Sequence, residues 1–161
     1  ALVEDKPGVL NRMASLFRRR GFNIDSIAVG RSELPNLSRI TIVVNGSTPV
    51  VEQVRKQLDK IIDVIRVSEI SDDEMVNREL ALIKVKANST TRSEIMQIVN
   101  IFRANIVDVG VDSVTVEVTG DEDKIDSLYN LLRGFGIKEL ARTGRLAMTR
   151  GGANPLKGEK E

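Results

Sequence analysis

The sequence predicts an α+β fold made of two consecutive β-α-β-β-α-β units, and three observations lead to it. Stretches in which apolar and polar residues alternate, such as "SRITIVVN" and "SVTVEVT", are interleaved with stretches whose apolar residues recur three and four positions apart. The order strand, helix, strand, strand, helix, strand occurs once before the acidic segment "SDDEMVNRE" and again after it. Helix-start and helix-stop residues stand where that order needs them.

Taken in order, Ala1, Leu2 and Val3 read as the end of a first strand, with the natural N-terminus expected to lie further upstream. A helix over 8–20 follows, with Val9, Leu10, Met13, Leu16 and Phe17 on its apolar side, and Gly21 stands where a left-handed cap is cheapest. Residues 22–30 read as a strand. The polar loop "RSELPNL" then leads to a strand in which Ile40, Ile42 and Val44 alternate with neighbours of the other face. Thr48 and Pro49 cap and start a second helix, because proline at the first helical position sacrifices no hydrogen bond. Its stripe is Val50, Val51, Val54, Leu58 and Ile61, and a strand over 62–70 closes the first unit.

The second unit opens with a strand over 80–87. Thr91 and Glu94 are spaced as a capping box before a helix bearing Ile95, Ile98, Val99 and Phe102. Strands over 106–109 and 113–119 follow, joined by a tight turn. Asp121 caps a helix with Ile125, Leu128, Tyr129 and Leu132, and residues 137–142 form the last strand. The expected domains are 1–71, with its first strand truncated, and 78–150. The tail 151–161, "GGANPLKGEKE", has the composition of a disordered segment.

Each unit reads as a four-stranded antiparallel sheet with two helices on one face, the ferredoxin-like arrangement. A unit of about 70 residues has a marginal core, so its open sheet face or edge strand calls for a partner. Oligomerisation is expected on that ground.

Composition narrows the function. The 161 residues are 41% hydrophobic and carry 24 Lys and Arg against 23 Asp and Glu, a net charge of +1. No field of one sign is available to pull the chain onto nucleic acid or membrane. Cysteine and histidine are absent, which removes disulfides, thiolate nucleophiles, the usual zinc ligands and the commonest general base. No catalytic or metal-binding residue is expected. No apolar run approaches the roughly 18 residues of a membrane span and no leader is visible, so a cytoplasmic protein is expected. The topology is shared with RNA-recognition domains, but those stack bases on sheet aromatics, and aromatics are 3% of this chain. The run Arg18-Arg19-Arg20 fits a phosphate or partner site, although such a run is more often a solvated face complementing the helix C-terminus.

One stretch departs from routine helix chemistry. "VEDKPGVLNRMASLFRRRGFNID" introduces its helix with a Pro-Gly pair where a capping side chain is expected. A bare Gly8 leaves the N–H groups of the first turn open, and those groups with the helix dipole favour a carboxylate. Asp5 offers acceptors to an ammonium group, Val9, Leu10 and Ile24 an apolar wall, and Asn23 a donor and an acceptor. Together they fit a free α-amino acid with a small aliphatic side chain. A plain strand-to-helix turn, with Asn23 a satisfied loop residue, fits the spacing equally well.

"EDKPGVLNRMASLFRRRGFNIDSIAVG" followed by "LSRITIVV" closely resembles the N-terminal ACT domain of the regulatory, or small, subunits of acetohydroxyacid synthase, also called acetolactate synthase. "QLDKIIDVIRVSEI", "RELALIKVKA", "IFRANIVDVG" and "ARTGRLAMTRG" continue the resemblance over nearly the whole chain. It implies a non-catalytic protein that binds a catalytic subunit, raises its activity and confers feedback inhibition by a branched-chain amino acid, chiefly valine. The resemblance implies no cofactor in this chain, with thiamine diphosphate, magnesium and FAD held by the catalytic partner. It also implies a homodimer whose effector sits between two ACT domains, with Asp5, Gly8, Val9 and Leu10 from one subunit and Asn23 and Ile24 from the other. Relatives often carry Asn at the position of Asp5. The second unit lacks a Pro-Gly junction, so dimerisation or catalytic-subunit contact is its expected role. The alternative reading is a stand-alone amino-acid-sensing ACT protein that regulates another partner.

Overall fold

The computed structural model describes residues 1–70, 75–152 and 154–156. The described residues form two compact units, one of residues 1–70, 75–76, 145–152 and 154–156, the other Asn77–Gly144.

In the first unit, β1 (Leu2–Glu4), β2 (Ile24–Arg31), β3 (Leu37–Val44) and β4 (Val64–Arg66) make an antiparallel sheet in the order β2-β3-β1-β4. The helices α1 (Val9–Arg20) and α2 (Thr48–Leu58) supply Val9, Met13, Leu16, Phe17, Val54 and Leu58 to a core shared with Val3, Ile40 and Val64 of the sheet. The period-two pattern of β3 explains this placement, since Ile40, Ile42 and Val44 all point to the helical side. Gly21 ends α1 at φ +68°, and the Phe22 N–H donates to the Phe17 carbonyl at 3.1 Å, as the sequence predicts for a left-handed cap. Phe17 and Phe22 then meet edge to face, their ring centres 6.0 Å apart.

The second unit repeats the plan. It contains β5 (Met75–Lys86) from Asn77 on, α3 (Arg92–Ile101), β6 (Asn105–Val109), β7 (Ser113–Gly120), α4 (Glu122–Leu132) and β8 (Ile137–Arg142), with sheet order β6-β7-β5-β8. Its core joins Ala81, Ile83 and Val85 of β5 and Val114, Val116 and Val118 of β7 to Ile95, Val99, Ile125, Leu128 and Leu132 of the helices. Two tandem ferredoxin-like units, as expected, are the architecture of the chain.

The structure corrects several boundaries. β4 is three residues, not 62–70, because its neighbour β1 pairs with it only through Leu2 and Val3. β5 begins at Met75, so residues 75–79 of the supposed acidic linker are strand, while Asp72, Asp73 and Glu74 lie outside the described residues. Ser47, not Thr48, is the N-cap of α2. The capping box of Thr91 and Glu94 does not form. Asn88 takes that role three residues earlier: its Oδ1 accepts the N–H groups of Thr90 and Thr91, each at 2.9 Å, and its own N–H donates to Thr91 Oγ1 at 3.1 Å.

The chain after β8 adds one further element. Residues 145–150 continue beyond β8 into the unforeseen strand β9 (Leu146–Thr149), and by their contacts they cluster with the first compact unit. The Arg39 guanidinium donates to the Ala147 carbonyl at 3.0 Å. Arg39 lies on the sheet face away from the helices, opposite Leu2, and Leu2 is buried there. Of the tail expected to be disordered, Leu156 is buried at 7% exposure, and residues 153 and 157–161 lie outside the described residues.

Candidate functional site

The β1–α1 loop is fixed from both sides by backbone bonds. The Glu4 N–H donates to the Asp63 carbonyl and the Asp5 N–H to the Asn36 carbonyl, both at 2.9 Å. Asn36 itself sits at φ +62°, held in a loop whose ends are tied by the Ser32 N–H to the Leu37 carbonyl at 2.9 Å. The chain reverses at Gly8, with φ +90° and ψ −11°, and the Arg12 N–H closes the first turn of α1 on the Gly8 carbonyl at 3.0 Å. No side chain caps this helix start and no acidic residue lies in its first turn. The positive end of the helix is therefore left without a cap or an acid of its own first turn.

Glycine has two reasons to be here. The backbone angle is one that side chains rarely adopt, and nothing lies within 4 Å of the point where a Cβ would be. The second fact is the one that bears on a ligand, because it leaves the approach to the first-turn N–H groups free.

The sequence-predicted residues divide into two groups. Asp5, Gly8, Val9 and Leu10 gather at the start of α1. Asn23 and Ile24 follow its end, and a 12-residue helix separates the two groups by about 18 Å. One free amino acid cannot touch both groups in a single chain. Asp5 and Asn23 are exposed, Leu10 is 48% exposed and Ile24 is half-buried against the core. Val9 corrects the expectation of an apolar wall, because its side chain is 3% exposed and packs in the core, leaving its N–H as what it can offer a ligand.

Three residues that sequence reading passed over position the site. Asn36 holds the Asp5 backbone. Arg12, one turn into α1, is ion-paired with Asp63, whose side chain is 9% exposed. That bond ties α1 to the turn preceding β4. Asp63 carried a legible signal: a lone acid inside "IIDVI" needs a cation if the segment is buried.

The second unit offers the opposite arrangement at the corresponding junction. There Asn88 Oδ1 occupies N–H groups at the start of α3, and Arg92 reaches across to the carbonyls of Gly110 and Val111 at 2.9 and 3.2 Å. A helix start so filled has little left for an anion. Among the described residues no group of three His, Cys, Asp or Glu side chains gathers to hold a metal, and no helix is long and apolar enough to cross a membrane. The start of α1 has free N–H donors of the kind that suit a carboxylate, with the exposed Asp5 carboxylate close by in sequence.

Comparison with known proteins gives a consistent picture. Residues 1–66 match the model for the AHAS small subunit-like ACT domain, and residues 78–151 that for the small subunit of acetolactate synthase. The chain is 61% identical over 150 residues to a protein of Archaeoglobus fulgidus named "Probable acetolactate synthase small subunit", covering 93% of this chain and 94% of that one. It is 52% identical over 150 residues to the acetolactate synthase small subunit of Mycobacterium bovis, covering 93% and 89%. The crystal structure of the acetolactate synthase small subunit of Thermotoga maritima superposes with a TM-score of 0.87 at 44% identity, covering 94% of this chain and 95% of that one.

Proposed function

The chain belongs to the small-subunit family of acetolactate synthase, regulatory subunits that serve a catalytic subunit in branched-chain amino-acid biosynthesis, and from that premise we propose that it activates its catalytic partner and makes it sensitive to a branched-chain amino acid, chiefly valine. The match runs nearly the full length of both chains, which favours this reading over a stand-alone sensor for another partner. In this reading thiamine diphosphate, magnesium and FAD stay with the catalytic subunit.

The observation that carries the effector site is the uncapped start of α1 beside an open Gly8. The valine carboxylate takes the first-turn N–H groups, and Asp5 takes the ammonium group. The 18 Å problem is solved by a second copy. β2 is the outer strand of its sheet and antiparallel to β3, as β1 is, so its Arg31 end lies at the end of the sheet where β1 runs into the Gly8 loop. Two copies joined antiparallel along β2 set Asn23 and Ile24 of each beside the Gly8 end of the other. They also cover Ile27 and Val29, which stand 42% and 47% exposed on that edge. Valine then regulates by linkage: it binds one arrangement of the pair more tightly and shifts the complex toward it, a coupling of about 1–3 kcal/mol being ordinary.

The test is a calorimetric titration with L-valine, with L-lysine as control, alongside the mass in solution. A dimer with about two saturable valine sites, one per symmetric half-interface, is the expected result. A dimer that ignores valine both alone and with its catalytic subunit present overturns the effector assignment.

A further inference from the structure

α1 carries Arg12, Arg18, Arg19 and Arg20 and no acidic residue. Arg12 is neutralised by Asp63 and Arg20 donates to the Gln57 side-chain oxygen at 3.3 Å. Among the described residues, no carboxylate lies within ion-pair distance of Arg18, Arg19, Arg20 or Lys60. The neighbouring helix is different, since on α2 Lys56 is matched by Glu52 at 2.8 Å and Arg55 by Asp59 at 3.4 Å. Favourable charge at a helix C-terminus explains a cation in the last turn of α1, but not Lys60 on a separate turn facing the same space.

That space is a groove. Two adjoining clefts of about 440 and 560 Å³ run between α1 and the turn that follows α2, sharing Leu16, Arg19, Lys60 and Ile61. Ile62 lines the larger one and is 86% exposed. Leu16 and Ile61 line both clefts and Ile62 stands open at the larger one, so apolar surface is continuous there with arginines, the charged residue that protein interfaces favour. No aromatic side chain lines either cleft, so the stacking platform of a single-stranded nucleic-acid site is missing. Arg19, which lines both clefts, is nine residues from Leu10 and hence about half a turn around α1 from it.

We propose that this groove is where the catalytic subunit docks, through a segment that carries carboxylates around an apolar anchor side chain. The proposal rests on the reading that the chain serves a catalytic subunit, and it adds which surface does so. Docking brings negative charge to the unmatched arginines and Lys60 and buries Ile62, leaving the β2 edge and the Gly8 loop free to respond to an effector.

The experiment compares the intact chain with the Arg19→Glu, Lys60→Glu double variant in titrations against purified catalytic subunit at low and moderate salt. Both side chains are exposed, so the core is untouched. The wild-type affinity is expected to fall with salt. The variant is expected to bind about tenfold more weakly or worse, with a flatter salt dependence, while its mass in solution matches the wild type. As a second measurement, Ile62→Cys introduces the only thiol in the chain, and a thiol-attached photo-crosslinker there is expected to capture the catalytic subunit. Equal affinity of wild type and double variant overturns the docking proposal and leaves the regulatory reading standing. Failure of the wild type itself to bind the catalytic subunit overturns both. Saturable binding of a single-stranded RNA oligonucleotide, lost in the double variant while catalytic-subunit affinity is unchanged, assigns the groove to nucleic acid and overturns it as well.

Discussion

At Gly8 the positive φ and the empty space at the Cβ position make separable predictions. Gly8→Ala adds no clash but keeps the strained angle, so chemical denaturation is expected to show a loss of about 1 kcal/mol. Gly8→Asp carries the same strain, yet its carboxylate caps the first-turn N–H groups and recovers part of the loss. The same cap occupies the anion site. Valine sensitivity of the reconstituted enzyme is therefore expected to survive better in Gly8→Ala than in Gly8→Asp, and equal responses would remove Gly8 from the effector site. In the second unit, Glu79 is 7% exposed and receives Arg142 Nε at 2.6 Å and a terminal guanidinium nitrogen at 3.0 Å, while Arg142 also donates to Asp126 at 2.8 Å. Hydrogen bonding to Glu79, more than to Asp126, holds the guanidinium above its ordinary pKa. Arg142→Leu leaves a buried carboxylate unpaired and is expected to cost about 3 kcal/mol. Melting curves of the variant beside the wild type will read that loss.

Helix starts show how far local sequence goes at the scale of an element. Asp121 begins α4 as predicted, its side chain accepting the Lys124 N–H at 2.9 Å. For α3 the Thr-x-x-Glu pattern pointed to Thr91, but Asn88 holds the cap and Thr91 completes it. Asn88→Ala is therefore expected to cost about 1 kcal/mol, and Glu94→Gln only the few tenths that a charge near the helix dipole contributes. Thermal unfolding of the two variants decides between the two caps. Strand lengths were less legible than helix starts, because a strand lasts as long as its neighbour does. β4 stops where β1 offers no more partners, whereas β5 extends back to Met75 through residues whose polar character read as linker.

At the scale of the whole molecule, the effector reading needs two chains, and subunit mixing tests that need. Asp5→Ala and Asn23→Ala remove one contribution each from opposite ends of α1, and either alone is expected to abolish valine binding. In a mixed dimer, the Asn23→Ala chain supplies Asp5 and the Asp5→Ala chain supplies Asn23, so one of its two interfaces is intact. Random mixing should restore about one quarter of the wild-type sites. No recovery would place both contributions within one chain, against the separation that α1 imposes.

The sequence by itself determined the duplication, the identity of the helices, the left-handed stop at Gly21 and the cap at Asp121, because periodicity and turn chemistry act between residues a few positions apart. It also singled out the residues at both ends of α1, since an uncapped Pro-Gly helix start is a local anomaly. Only the tertiary structure decided which of them stand together, that Val9 faces the core, and that residues 145–152 cluster with the first unit. It alone decided the pairs Arg12 with Asp63, Arg142 with Glu79 and Arg39 with Ala147, which join residues 51, 63 and 108 positions apart. Such contacts depend on which strands become neighbours, and that is settled by the burial of whole faces at once.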